Sequence, residues 1–234
     1  MKKWIVSALT LALSLTLLAD LAEAQRGGRG GRGGRGGGRG FAAPRPVAGH
    51  GIEVGGWWGR TDRPGDSLDG LKFVEMNGGL HATTGPNMIL WDPDRVAEPP
   101  YTVRATFTVP KPPSHPVAYG IFIGGQNLAE DNQQYTYFII RENNQFLIKK
   151  RTGATTSNVA GDWAAHPSIM ARGAEGQKNE LSIQVGAAQA SFMINGMQIA
   201  THPVSAIDAA GVIGLRIGHV LDVQIDGFEV DTGQ

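Results

Sequence analysis

From residue 52 onward the chain reads as a series of short segments in which apolar and polar side chains alternate. Between residues 101 and 109, five apolar side chains alternate with three threonines and one arginine. This period of two predicts a half-buried β-strand. Residues 117–123 are instead almost continuously apolar and are followed by Gly124 and Gly125. Such a run, ended by two glycines, predicts a central strand covered on both faces.

Turn residues separate these segments at short intervals. Asn195-Gly196 is a strong two-residue hairpin signal between predicted strands at 190–194 and 197–201. Further predicted strands at 212–217 and 223–230 close the chain. No segment after the N-terminal region has sustained helical periodicity, apart from a short turn near 168–172. About a dozen short strands with short turns predict an all-β, antiparallel two-sheet sandwich.

One predicted hairpin, formed by strands 135–141 and 145–151, allows two registers. A two-residue loop at Asn143-Asn144 pairs Phe138 with Lys149 and mixes apolar and charged side chains on one face. A three-residue loop, with Asn144 in the left-handed region that asparagine tolerates, pairs Arg141 with Gln145. A one-residue slip exchanges the two faces of a strand, so the register that sorts the side chains better is favoured. We therefore predict the three-residue loop.

In that register the hairpin has one apolar face and one aromatic and cationic face. Phe138, Ile140, Phe146 and Ile148 share the apolar face. The opposite face carries Ile139 and Leu147 among five candidate ligand-binding side chains: Tyr135, Tyr137, Arg141, Lys149 and Arg151. Flat aromatic rings stack on the apolar C–H faces of sugars, and Arg and Lys donate hydrogen bonds to hydroxyls. This face is either a carbohydrate-binding surface or an ordinary solvated sheet face.

The first 24 residues have the pattern of a secretory signal peptide. Lys2 and Lys3 precede an apolar run at 4–19, and Ala22-Glu23-Ala24 forms a small-x-small cleavage site. The apolar run is too short for a convincing membrane span. The sequence thus predicts export to a periplasm or to the cell exterior, and the absence of cysteine excludes stabilisation by disulfides.

Residues 25–40 form an RGG repeat that is predicted to be a disordered arm. Ten of its sixteen residues are glycine, so it cannot bury enough apolar surface to fold. Residues 41–234 carry 14 Lys+Arg against 19 Asp+Glu, a net formal charge of −5, whereas the arm carries five arginines and no acid. These arginines are the candidate polyanion-binding residues: Arg26, Arg29, Arg32, Arg35 and Arg39. The arm is either a flexible tether or a contact for extracellular polyanions. Export argues against a nucleic-acid partner inside the cell.

Three segments resemble a known family of bacterial jelly-roll domains. They are YGIFIGGQNLAEDNQQYTYFIIRENNQFLIKKRTG from Tyr119, NELSIQVGAAQASFMINGMQIA from Asn179, and GVIGLRIGHVLDVQIDGFEV from Gly211. They are similar to concanavalin A-like, laminin-G-like jelly rolls, including those of the 3-keto-disaccharide hydrolase-like kind, over roughly residues 101–230. The resemblance implies a jelly-roll sandwich whose concave sheet binds or cleaves carbohydrate. The E-x-D-x-x-E strand of the glucanase branch is absent from this sequence.

Several further residues offer candidate chemistry. Trp57 and Trp58, between glycines, either form a stacking platform for sugar or include one ring that covers the core. Asp62, Asp66 and Asp69 are candidate oxygen ligands for a structural calcium ion, but their spacing matches no EF-hand and solvated loop acids are the simpler interpretation. The resemblance to jelly-roll sugar-binding modules adds Asp222 and Asp226 of the last predicted strand as candidates. The six histidines have no zinc-binding spacing, so no metal ligand and no other cofactor is predicted. The sequence contains no cysteine nucleophile and no G-x-S-x-G motif.

These observations divide the chain into a signal peptide (1–24), an RGG arm (25–40), a linker (41–51) and a jelly-roll domain (52–234). The expected function is that of an exported carbohydrate-binding module with a cationic tether and no membrane span. One alternative is a sugar-active hydrolase or lyase of the 3-keto-disaccharide hydrolase-like type, for which no catalytic residue is identified. A second is a structural surface protein without a small ligand.

Overall fold

A computed structural model describes residues 51–68 and 70–233 of the protein. The predicted signal peptide, the RGG arm and all of the linker except Gly51 lie outside the described residues. The described part is an all-β sandwich of two antiparallel sheets, as predicted. Within it, no helix is long and apolar enough to cross a membrane. Its single helical element is a 3-10 turn at Val204–Ala206.

The fifteen strands are divided between a first sheet of eight and a second sheet of seven. The first sheet contains, in spatial order, β1 (Trp58–Thr61), β4 (Met88–Ala97), β14 (Gly211–Ile217), β6 (Ala118–Gln126), β7 (Gln134–Arg141), β8 (Gln145–Thr152) and β10 (Ala164–Ala165), with β9 (Thr155–Asn158) also paired to β8. The second sheet contains β13 (Met197–Pro203), β12 (Gln189–Ile194), β11 (Gln177–Val185), β5 (Tyr101–Val109), β15 (Asp222–Asp231), β3 (Gly79–Thr83) and β2 (Lys72–Met76).

The strongest periodicities in the sequence correspond to observed strands. Strand β5 occupies the predicted residues 101–109, and its apolar side chains are buried while the intervening ones are not. Strand β6 lies between β14 and β7, with almost all of its residues buried, as a central strand should be. The Asn195-Gly196 turn joins β12 to β13, and both of its residues have positive φ, of 50° and 79°.

Gly124 and Gly125 do not end their strand as predicted. Strand β6 continues to Gln126 through an irregularity in its pairing with β7 between Ile123 and Gln126. Gly124 has φ +65°, and a Cβ atom there would lie 2.2 Å from the carbonyl oxygen of Asp208. The close approach of the 208 backbone therefore requires glycine, and the two glycines form a bulge rather than a turn.

The hairpin of β7 and β8 adopts the predicted three-residue loop. Arg141 pairs with Gln145, and Asn144 has φ 62° in the left-handed region. Phe138, Ile140, Phe146 and Ile148 point into the main core between the two sheets. Tyr135, Tyr137, Ile139 and Leu147 belong to a second apolar cluster on the other face of the first sheet. The sorting of side chains that favoured this register is confirmed.

Candidate functional site

The first sheet is curled around the face that points away from the main core, here called the concave face. Asp62 directly follows β1, and Arg151 lies on β8, five strands further along the sheet. Neighbouring strands are about 4.8 Å apart, so these residues could not meet across a flat sheet. The Arg151 Nη1 atom is nevertheless 3.2 Å from the Asp62 Oδ1 atom. The ion pair spans the concave face of a half-barrel.

Asp62 is the shared acceptor of two guanidiniums in this half-barrel. Its Oδ1 atom accepts from Arg151 and its Oδ2 atom from Arg216, while its backbone oxygen accepts from Arg151 Nη2 at 3.3 Å. The side chains of Arg151, Arg216 and Asp62 are only 10%, 12% and 22% exposed. We call these three residues the arginine–aspartate triad. It fills one part of the concave face with paired charges.

A loop between β6 and β7 covers the same part of the face. Leu128 from this loop packs into the second apolar cluster. Arg60, on the concave face of β1, donates from Nη1 to the backbone oxygen of Glu130 at 2.5 Å and from Nη2 to the carboxylate of Asp131 at 3.2 Å. Arg60 is 6% exposed. Its guanidinium therefore fastens the loop over the sheet.

Glycine at position 214 allows the aromatic packing beneath this loop. Gly214 on β14 lies between Trp91 on β4 and Phe122 on β6. A Cβ atom at Gly214 would lie 2.5 Å from the ring of Phe122. The Phe122 ring occupies the space that any larger residue would need, and it lies 5.2 Å from the ring of Tyr135. The covered part of the face is thus a packed apolar and ionic layer.

Burial and charge shift the pKa values in this layer. Burial raises the pKa of Tyr135, and it raises the pKa of Tyr137 to about 12, although Arg216 opposes the shift in both. Burial also disfavours the charged form of Arg216, but the carboxylate of Asp62 outweighs it and raises the pKa of the guanidinium. All three groups therefore keep their protons at neutral pH: the tyrosines are uncharged and the arginine is a cation.

The remaining part of the concave face lies along the outer strands β7 and β8 and is less covered. The guanidinium carbon of Arg141 lies 4.0 Å from the ring centroid of Trp163, in a cation–π stack. Arg141 donates from Nε to the Gln145 amide oxygen at 2.9 Å and makes a second bond to it from Nη2. Lys149 lies on the same face of β8, and all four side chains are partly exposed. We call Arg141, Gln145, Lys149 and Trp163 the β7–β8 edge.

The structure separates the five hairpin residues predicted to bind sugar into two groups. Arg141 and Lys149 are accessible at the β7–β8 edge. Tyr135 and Arg151 are on the predicted face but are only 1% and 8% exposed, because the loops after β1 and β6 close over them. Tyr137 lies between the two groups and is 6% exposed. The expectation of one open aromatic and cationic surface is thus corrected to a covered part and an accessible edge.

The two adjacent tryptophans, Trp57 and Trp58, also lie in different environments. Trp57 is buried in the main core, with its ring 5.0 Å from Phe73 and 5.8 Å from Phe228. Trp58 begins β1, is 39% exposed and lies 6.4 Å from the ring of Trp91 on the concave face. The two rings therefore do not form one platform, and the interpretation that one of them covers the core holds.

Among the residues of the β7–β8 edge, Gln145 was predicted only as the partner of Arg141 in the hairpin, and Trp163 was not predicted at all. It lies two residues after Gly161, in the segment that leads to β10, and β10 pairs with β8 beside Gln145. Strand β10 has only two residues, too few to show a periodicity, so its pairing with β8 could not be predicted from the sequence. An isolated tryptophan after a glycine and an aspartate, in a polar loop, was the available signal.

Among the described residues, the acids considered for calcium are not gathered into a site. Asp62 is engaged by the two arginines, and Asp69 lies outside the described residues. Within residues 51–68 and 70–233, no three His, Cys, Asp or Glu side chains are grouped so as to hold a metal ion.

A cavity of about 700 Å³ opens elsewhere, between the β2–β3 hairpin and the segment around Arg95. Three carboxylates line it, together with Trp57, Arg95 and Phe228: Glu75, Asp92 and Glu229. Glu229 is paired with Arg104 at 2.7 Å, and Asp92 Oδ1 accepts the backbone N–H of Asp94 at 3.0 Å. Two of the three acids thus already have partners.

Solved structures share this fold. The carbohydrate-binding module CBM66 from Bacillus subtilis superposes with a TM-score of 0.55 at 12% identity, covering 76% of this chain and 96% of its own. A protein of unknown function with a galectin-like fold, also from Bacillus subtilis, gives a TM-score of 0.56 at 12% identity, covering 82% of this chain and 97% of its own. The described domain is a concanavalin A-like, galectin-like jelly roll. No protein-family model and no curated protein matches the sequence.

Proposed function

We propose that the protein is an exported carbohydrate-binding module whose ligand binds at the β7–β8 edge of the concave face. The stack of Arg141 on Trp163, with Lys149 on the neighbouring strand, is the observation that carries this proposal. Gln145 receives two of the five guanidinium N–H donors of Arg141, which leaves three to meet hydroxyl groups. An indole ring beside them suits the C–H face of a sugar ring.

The arrangement is also preorganised, which favours binding over a merely solvated surface. The Gln145 oxygen holds the Arg141 guanidinium on one side, and it also accepts from Asn143 Nδ2 at 2.8 Å. The Trp163 ring restricts the same guanidinium by stacking. A side chain fixed in this way loses less conformational entropy when it binds a ligand. The name of the carbohydrate-binding module that shares the fold agrees with this proposal.

Replacement of Arg141 by alanine is expected to weaken sugar binding about tenfold, since hydrogen bonds to a charged donor are lost. A glycan array identifies the sugar with the strongest signal on the intact protein, and calorimetry with that sugar measures Kd. Trp163→Ala should have a similar effect. The double variant Tyr137→Phe, Arg141→Ala, compared with Arg141→Ala alone, tests the contribution of the adjacent phenol, and the change from Tyr to Phe opens no cavity.

Arg104→Ala is the matched control for this experiment. Arg104 is an exposed arginine on β5 of the second sheet, where it pairs with Glu229. Its replacement removes the same charge far from the β7–β8 edge and should leave Kd unchanged. Binding that survives in both Arg141→Ala and Trp163→Ala would remove the proposed site, and a glycan array without any signal would favour the structural surface protein.

A hydrolase or lyase of the 3-keto-disaccharide hydrolase-like type is the second candidate function. The carboxylates of the 700 Å³ cavity favour it, because glycoside hydrolysis uses two acids about 5–10 Å apart. Glu75 is the carboxylate of that cavity with neither an ion pair nor a side-chain hydrogen bond among the described residues. Turnover of a 3-keto-disaccharide that is lost in Glu75→Gln would establish this function in place of simple binding.

For the N-terminal region we propose cleavage after residue 24 and contact of the RGG arm with extracellular polyanions. Single-stranded DNA is the probe. If the five arginines of the arm neutralise five phosphates, raising salt from 50 to 200 mM should weaken binding about a hundredfold. Deletion of residues 26–40 should abolish this binding and its salt dependence. Fluorescence anisotropy measures the affinity of the intact protein and of the deletion variant for the DNA. Equal affinities at low salt would mean that the arm is only a spacer.

A further inference from the structure

Two histidines that are 104 residues apart in the sequence meet at one end of the sandwich. His115 lies in the loop between β5 and β6, and His219 lies in the loop between β14 and β15. Their Nε2 atoms are 2.7 Å apart, and the ring centroids are 4.9 Å apart with the planes tilted by 32°. Both contacts are at the surface, so solvent and ions reach the pair.

The surroundings of His219 determine which of its ring nitrogens carries the proton. Asn87 Oδ1 accepts the backbone N–H of His219 at 3.0 Å and lies 3.3 Å from His219 Nδ1. A backbone N–H can only donate, so the Asn87 atom facing His219 must be its oxygen. That oxygen in turn requires a proton on His219 Nδ1. In the neutral ring, the Nε2 lone pair is therefore directed at His115.

The environment of His115 accommodates the same tautomer. Ser114 Oγ lies 3.0 Å from His115 Nδ1, and a hydroxyl group can accept from a protonated Nδ1 or donate to a bare one. With the proton on Nδ1, two Nε2 lone pairs face each other and can bind one cation together; with the proton on Nε2, His115 instead donates to His219. The loop is also restricted, because Pro112, Pro113 and Pro116 fix φ on both sides of His115.

We propose that His115 and His219 together bind a divalent transition-metal ion of the kind that imidazole prefers, such as Zn²⁺. Two nitrogens bound to tetrahedral zinc at about 2.0–2.1 Å lie roughly 3.3 Å apart, so a separation of 2.7 Å needs to widen by only about 0.6 Å. Asn87 acts as the second-sphere acceptor that orients His219. Water completes the coordination. Spacing rules could not reveal this site, since its ligands come from separate loops.

Calorimetric titration of ZnCl₂ into the full chain, without a histidine tag and treated with chelator, tests the proposal. We expect one ion per chain, and a loss of affinity of at least tenfold in both His115→Ala and His219→Ala. Asn87→Ala should weaken binding about 10- to 100-fold, whereas Asn87→Asp, which keeps an acceptor for His219, should restore it. Circular dichroism checks that each variant is folded.

His81→Gln is the matched control, because His81 is a histidine whose Nε2 atom lies 2.7 Å from an acid, Asp222, on the second sheet. Zinc affinity should be unchanged in this variant. With Cu²⁺ as a second probe, electron paramagnetic resonance should detect two nitrogen ligands in the wild-type protein and fewer in the His115 and His219 variants. Absence of zinc binding, or zinc affinity that survives both of those replacements, would overturn the proposal. The short distance between the two Nε2 atoms would then be explained by a proton shared between the rings.

Discussion

Replacement of Asp62 by alanine is expected to lower the free energy of unfolding by about 3–5 kcal/mol, because it leaves two buried guanidiniums without their carboxylate. Arg151 and Arg216 both bond to Asp62, and their side chains are 10% and 12% exposed. The same change also removes the ion pair that joins the two sides of the half-barrel. Urea unfolding followed by tryptophan fluorescence measures the difference in stability.

Asp66→Ala provides the control for this prediction. Asp66 lies in the same loop, and it forms no ion pair with residues of the described part of the chain. Its replacement changes the net charge equally and should alter stability by no more than about 0.5 kcal/mol. Equal unfolding midpoints for the two variants would contradict the role assigned to Asp62.

A triple replacement separates the cost of a broken triad from the net contribution of an intact one. In Asp62→Leu, Arg151→Met, Arg216→Met, no buried charge remains unpaired. Apolar side chains of similar volume often substitute for buried ion pairs without loss of stability, so this variant should recover most of what Asp62→Ala loses. A triple variant as unstable as Asp62→Ala would mean that the triad itself contributes the stability.

The hairpin register shows how much of the fold the sequence contains. The choice between two loops at Asn143 and Asn144 rested on one local rule, that alternate side chains must sort into two faces. The structure has that register, with Asn144 in the left-handed region. Such local patterns predict strands and turns well, because neighbouring residues in the chain determine them. They also predicted that Tyr137, Arg141 and Lys149 share a face.

The covering of that face could not be predicted from the same patterns. Asp62 reaches Arg151 from a loop 89 residues earlier in the chain, and Arg60 binds the backbone of Glu130, 70 residues away. These contacts depend on how strongly the first sheet curls, which no period in the sequence encodes. The position of Trp163 in the site could not be predicted for a related reason, since its stacking on Arg141 depends on a two-residue strand.

The four tyrosines make the domain sensitive to alkali. The sequence contains four, and all of them are buried: Tyr101, Tyr119, Tyr135 and Tyr137. Burial raises the pKa of each phenol, that of Tyr137 to about 12. In the unfolded chain the same phenols ionise with a pKa of about 10. The native state therefore holds four protons over a pH range in which the unfolded state has released them.

The sign of the resulting effect follows from proton linkage. Stability is unaffected by these groups well below pH 10 and declines as the pH rises through 10 towards 12, because the unfolded state binds fewer protons there. Each tyrosine contributes a slope of about 1.4 kcal/mol per pH unit, and four together remove about 5 kcal/mol at pH 11. A domain is typically stable by only about 5–15 kcal/mol. We therefore expect unfolding between pH 11 and 12.

Two optical signals recorded in one titration test this prediction. Tyrosinate absorbance should stay absent through pH 10 and then appear for all four residues together with the loss of the near-ultraviolet circular dichroism of the fold. In Tyr137→Phe, one of the four linked protons is removed, so the dependence of stability on pH should become shallower by about a quarter. Tyrosinate that forms near pH 10 while the fold persists would contradict this prediction, because it would mean that the phenols are accessible to water. It would also contradict the burial that distinguishes the covered part of the concave face from the β7–β8 edge.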